Sequence, residues 1–133
     1  MYDVIETIMD AKTLHERLND PNTVIVDARF NLFDVGEGRA AYLEAHIPGA
    51  VNRFHRENVD ADGRFLPPQE LAEGLETLLA GTPLTETVFY CGSGVTACHG
   101  LLAACHAGLG EGRLYVGSWS EWCSDPTRPI VRS

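Results

Sequence analysis

Apolar positions along this chain follow two rhythms. Short β-branched runs alternate with stretches in which leucines recur every three or four residues. The segments "TVIVDAR" (23–29) and "ETVFYC" (86–91) are nearly continuous apolar runs, as expected for strands buried on both faces. "AVNRF" and "RLYVG" predict two shorter strands. "DAKTLHERLND" begins with Asp10, a good N-cap, sets Leu14 and Leu18 four apart, and stops at "NDPN"; it predicts a helix. "GRAAYLEA" (38–45) predicts a short helix, "HIPGA" (46–50) a turn, and "NVDADGRF" a polar turn. "PPQELAEGLETLLAG" is an amphipathic helix with Pro at its start and Gly81 near its end. "VTACHGLLAACHAGLG" (95–110) is a helix apolar almost all round, which predicts a central place. "SWSEW" opens a last short helix, and the tail "DPTRPIVRS" reads as extended. Strands and helices alternate throughout. The expected fold is therefore α/β, with a central parallel sheet flanked by helices in a single domain over residues 1–133.

Composition narrows the function. A chain of 133 residues can bury one sufficient core without staples. Hydrophobic content of 44% and a mean hydropathy of −0.10 suit a globular domain. The formal net charge of −9 argues against nucleic acid or an anionic membrane as the main partner, since both need a basic face. The segment "MYDVIETIMDAKTLHERL" contains acids and no long apolar run, so neither a signal peptide nor a membrane span is expected there. That predicts the cytoplasm, where thiols stay reduced. The four cysteines form no C-x-x-C pair and no zinc-finger spacing with histidine, so neither a disulfide framework nor a metal site is expected. Cys98, Cys105 and Cys123 read as small buried hydrophobes, Cys98 and Cys105 being seven apart on the apolar helix. Five of nine arginines (Arg29, Arg39, Arg53, Arg56, Arg64) fall in one stretch. Most read as scattered surface charge, and one or two as ligands for an anion.

Candidate chemistry concentrates in "YCGSGVTACHG" (90–100). Cys91 ends a predicted strand, and open α/β sheets bind ligands beyond the carboxyl ends of their strands. Gly92 and Gly94 allow positive φ and close backbone approach. The N–H groups of Gly92, Ser93, Gly94, Val95 and Thr96 could converge into one anion cradle, and the helix from Val95 adds the positive end of its dipole. Such surroundings favour thiolate over thiol, which makes Cys91 the expected nucleophile, and they stabilise a persulfide anion equally well. Two reaction classes share this geometry. Phosphatase and arsenate reductase chemistry uses C-x₅-R, whose Arg clamps the oxyanion; here the sixth residue after Cys91 is Ala97, and the loop holds no Arg or Lys. Sulfur transfer needs a thiolate, a cradle for Sγ–S⁻ and an outer anchor for an anionic donor, and fits better.

At this point the chain resembles the rhodanese-like sulfurtransferases. "VDAR" leading to "HIPGAVN", then "CGSGVTACH", then "GSWSEW" stand in the family's order and span nearly the whole chain. "CGSGVT" is similar to the active loop of 3-mercaptopyruvate sulfurtransferases, whereas thiosulfate enzymes more often carry basic residues directly after the Cys. The resemblance implies Cys91 as persulfide carrier, Gly92, Ser93, Gly94, Val95 and Thr96 as its cradle, and Ser93 as an aid in protonating or orienting the donor. It implies Asp27 as a structural anchor beside the loop. No cofactor is implied. The implied partners are a small-molecule sulfur donor and a thiol acceptor, either a small thiol or a thioredoxin-like protein, with cyanide as an alternative acceptor. Two-domain members place the site between their domains; with one domain here, a homodimer is one way to complete it. The family's active-domain stretch G-R-F-x-G, which supplies donor-binding arginines after "DAR", is absent. Arg39 is then the first candidate for the donor's carboxylate anchor and Arg29 the second. His46 is expected to stabilise the "HIPGA" turn, and Trp119 and Trp122 to pack under the loop. A non-catalytic partner-binding module of the same fold stays open as a rival, although such modules usually lose the Cys that this chain keeps.

Overall fold

The segment Thr87–Tyr90 is buried at all four positions, as a strand in the middle of a two-sided core must be. A computed structural model describes residues 8–29, 37–53, 55–91 and 95–132. In chain order the elements are β1 (Ile8–Met9), α1 (Ala11–Glu16), β2 (Val24–Asp27), α2 (Glu37–Glu44), β3 (Val51–Asn52), α3 (Pro68–Leu79), β4 (Thr87–Tyr90), α4 (Val95–His106), β5 (Arg113–Tyr115) and α5 (Ser118–Trp122). The strands form one sheet in the order β1-β5-β4-β2-β3, and every pairing is parallel. This is the α/β fold with a central parallel sheet that the alternating pattern predicts.

Strand alternation sorts the core into two layers. Val88 and Tyr90 join Met9, Leu14, Tyr115 and Trp122 on one face. Phe89 and Cys91 join Val26, Leu75, Ala97 and Ala104 on the other. Cys91 therefore continues the β4 alternation by one residue and faces the side covered by α3 and α4. Asp10 caps α1 as expected, its Oδ1 accepting the Thr13 N–H at 2.8 Å. Helix α3 ends through Ala80 at φ 52°, followed by Gly81 at φ 89°.

One strand adds to the sequence reading, and one expectation changes. β1 is a strand of two residues that no alternating pattern could reveal, and it exists by pairing with β5. Cys98, Cys105 and Cys123 are exposed rather than buried. Their helical spacing does put Cys98 and Cys105 on one face of α4, but that face looks outward, with Leu102 62% exposed beside them. The inward face instead carries Ala97, Gly100 and Ala104. Small residues there let α4 lie close on β4: a Cβ at Gly100 would sit 2.9 Å from the Phe89 ring. No described helix is long and apolar enough to cross a membrane.

Candidate active site

β4 and β2 run side by side at the centre of the sheet, with Tyr90 opposite Asp27 at their carboxyl ends. The Asp27 carboxylate is fully buried and is the hub of a network. Its Oδ2 accepts the Tyr90 hydroxyl at 2.7 Å. Arg29 donates its backbone N–H to Oδ1 at 3.0 Å and closes an ion pair through Nη2 at 2.8 Å from Oδ2. The Tyr90 hydroxyl oxygen in turn accepts the Ile47 N–H at 3.2 Å. Burial first, then the Asp27 charge, holds the Tyr90 phenol well above its ordinary range, so it stays a protonated donor. The backbone of Asp27 is tied as well: its carbonyl accepts the Arg53 N–H at 2.9 Å and the Asn52 amide at 3.1 Å.

Cys91 stands on this platform. It is the first residue beyond β4 and is 2% exposed. Its N–H donates to the Ser118 Oγ at 3.1 Å, and its carbonyl accepts the Trp119 N–H at 2.9 Å. Ser118 is fully buried, holds φ at 54°, and donates its own hydroxyl to the Tyr115 carbonyl at 2.8 Å. α4, twelve residues long, begins at Val95, four residues after the thiol. The unpaired N–H groups and the positive dipole end of a helix lie at its first turn, here the end of α4 that follows Cys91 in the chain. The C-x₅-R position is held by Ala97, which is fully buried in the core, so no cation stands there.

These features meet in the sequence comparison. The chain matches the rhodanese-like domain family over residues 10–125. It belongs to that family. A probable 3-mercaptopyruvate sulfurtransferase of Pseudomonas aeruginosa is 47% identical over 125 residues, covering 93% of this chain and 44% of that protein. A putative thiosulfate sulfurtransferase of Mycobacterium tuberculosis is 41% identical over 94 residues, covering 68% of this chain and 31% of that protein. The chain thus spans less than half the length of these curated relatives. Among solved structures, an anaerobic ergothioneine biosynthesis enzyme from Chlorobium limicola superposes with a TM-score of 0.74 at 23% identity, over 96% of this chain and 32% of that one. That likeness is one of fold.

Within this rhodanese-like domain the candidate anion ligands separate. Arg29 turns inward: besides Asp27, its Nη2 donates to the Ala45 carbonyl at 2.6 Å, and its guanidinium lies 4.5 Å from the Trp119 ring centre. With 9% of its side chain exposed, it is committed to holding β2, the residue before the "HIPGA" turn and α5 together. Arg53 is likewise internal, donating Nε and Nη2 to Asn58 Oδ1 at 3.1 and 2.9 Å. Arg39 lies in α2; its side chain is outside the described residues. So are Gly92, Ser93 and Gly94, while Val95 and Thr96 form the first turn of α4 with side chains also outside them. His46 stabilises its turn through Nδ1 to the Tyr42 carbonyl at 2.8 Å and by stacking on the Tyr42 ring. Trp122 is fully buried and Trp119 half-buried at the rim. Ser118 is the residue that sequence reasoning passed over. Its one signal is membership of "GSWSEW", one of the segments that carry the family resemblance.

Proposed function

We propose that this rhodanese-like domain is a sulfurtransferase with Cys91 as its persulfide carrier. The observation that carries the proposal is a nearly buried thiol that ends the central strand and is followed, four residues on, by the first residue of α4, while the clamp position of phosphatases is a core alanine, Ala97. The chemistry favours a site whose negative charge is met by backbone N–H groups, which suits a sulfur anion better than a phosphoryl transition state.

In the first half-reaction the Cys91 thiolate attacks the sulfur of 3-mercaptopyruvate. The new S–S bond forms as the C–S bond breaks. The electron pair leaves on the enolate of pyruvate, which takes up a proton. Gly92, Ser93, Gly94, Val95 and Thr96 form the cradle for the resulting persulfide. In the second half-reaction an acceptor thiolate, from a small thiol or a thioredoxin-like protein, attacks the outer sulfur and releases the Cys91 thiolate. With cyanide as acceptor the product is thiocyanate. 3-Mercaptopyruvate is favoured over thiosulfate because "CGSGVT" carries no cation for a second donor charge, and the 47% identical relative bears that donor in its name. Arg39 is assigned to the donor carboxylate, since Arg29 is spent on Asp27 and Ala45. Three exposed thiols and no disulfide suit action in the reducing cytoplasm.

The test is intact mass after incubation with each donor. A gain of one sulfur atom with 3-mercaptopyruvate, absent in Cys91→Ser, is expected. No gain with 3-mercaptopyruvate or thiosulfate would refute the activity, and turnover of an aryl phosphate that requires Cys91 would replace it with phosphatase chemistry.

A further inference from the structure

Ser118 lies 27 residues from Cys91 in sequence, yet one oxygen atom joins them. β4 and β5 pair in parallel with Val88 opposite Arg113 and Phe89 opposite Leu114. Continuing that register by two residues would set Cys91 opposite Val116 and bond the Cys91 N–H directly to the Tyr115 carbonyl. Instead the Ser118 hydroxyl stands between that donor and that acceptor, accepting from Cys91 N–H at 3.1 Å and donating to Tyr115 C=O at 2.8 Å. The companion bond, to the Cys91 carbonyl, comes from the Trp119 N–H at 2.9 Å. The ladder is thus opened by one inserted hydroxyl at the residue that carries the thiol.

We propose that Ser118 is a positioning residue for Cys91: its hydroxyl, wedged into the β4–β5 ladder, holds the Cys91 backbone off the sheet and so keeps its side chain in the layer it shares with Ala97 of α4. The proposal rests on the sulfurtransferase reading for its rate effects, but not for its effect on Cys91 itself. Serine suits the position for two reasons. At φ 54° a β-branched threonine is strained, and the site is fully buried. A hydroxyl is also the smallest group that can accept one bond and donate another. Removing it leaves a buried N–H and a buried C=O facing each other across the gap. Those two groups regain partners only if the ladder closes, which draws Cys91 toward β5 and away from α4.

The experiment compares the wild type with Ser118→Ala and Ser118→Gly. Glycine accepts positive φ without strain, so Ser118→Gly keeps the backbone of this turn while lacking the hydroxyl. Alkylation of Cys91 by iodoacetamide at neutral pH, followed by peptide mass, reads the thiol without any sulfur donor. Its rate constant is expected to fall about tenfold in both variants as Cys91 is drawn toward β5 and its thiol is misplaced. With 3-mercaptopyruvate, kcat is expected to fall about 100-fold, with KM unchanged. A merely structural Ser118 would lower Tm and leave the folded protein's alkylation and turnover as in the wild type, or speed alkylation by loosening the site. Either result overturns the proposal, and so does a wild-type-like Ser118→Gly. If the wild type takes up no sulfur, the proposed activity fails while the alkylation comparison still decides the role of Ser118.

Discussion

The Tyr90 hydroxyl donates to the Asp27 carboxylate at 2.7 Å, locking the carboxyl ends of the two central strands directly beneath Cys91. Both groups are fully buried, so the bond is made where an unpaired partner is costly. Tyr90→Phe leaves Asp27 its Arg29 partner but orphans the Ile47 N–H. A loss of about 1–3 kcal/mol of stability is expected, measured by urea unfolding with an unchanged m-value.

The two candidate arginines should fail in different ways. Arg29→Ala leaves the Asp27 carboxylate buried and without its ion-pair partner. Breaking such a pair costs about 3–5 kcal/mol, so poor folding or a sharply lowered Tm is expected. Arg39→Ala should leave Tm unchanged and raise KM for 3-mercaptopyruvate. An unchanged KM in Arg39→Ala would remove Arg39 from the site.

Gly100→Ala tests the close approach of α4 to β4. The added methyl would lie 2.9 Å from Phe89 Cδ2, and the other edge of that ring is already 2.9 Å from where a Cβ on Gly112 would be. Phe89 cannot step aside, so α4 must lift. A cost of about 1–3 kcal/mol is expected, with sulfur uptake impaired because the start of α4 moves relative to Cys91. Wild-type stability and uptake together would show that the ring has room.

The cysteines on the surface should be dispensable. Cys98, Cys105 and Cys123 are exposed and stand in no disulfide. Replacing all three by serine is expected to change stability by no more than about 0.5 kcal/mol per site and to leave persulfide formation at Cys91 intact. A requirement for any one of them, seen as lost mass gain, would contradict this.

Acid should weaken the packing of Phe65 on α4. The Phe65 ring meets His99 edge-on at 5.2 Å and stacks on His106 at 5.4 Å. Burial lowers the His99 pKa below the ordinary histidine value. The unfolded chain therefore binds a proton at this site before the folded one does. Stability from His99 is complete above pH about 6.5 and is lost as pH falls from there through the lower value of the folded state. A Tm that declines from pH 7 to pH 5, with a shallower decline in His99→Gln, is the expected outcome (calorimetry, about two pH units apart). Equal slopes for the two proteins would exclude His99 as the source.

Much of the domain was written in one dimension. Continuous apolar runs flanking helical leucine spacing determined the parallel α/β sheet, because a strand buried on both faces leaves no polar positions to alternate. The thiol at a strand end, the glycines after it and the missing arginine at position 97 point to the candidate nucleophile and to the class of chemistry proposed for it. Other features depend on which surfaces meet. Helical spacing placed Cys98 and Cys105 on one face of α4, but only contact with Phe89 decided that the small residues face inward. Asp27 and Arg29 stand two apart, so an extended chain puts them on one side, but where the Arg29 guanidinium goes beyond Asp27 was open until Ala45 and Trp119 closed around it. The hydroxyl of Ser118 reaches Cys91 only after β4 and β5 have been laid side by side. Periodicity records which side chains share a face; the burial of that face, and every bond between residues far apart in the chain, is decided by the packing of whole elements.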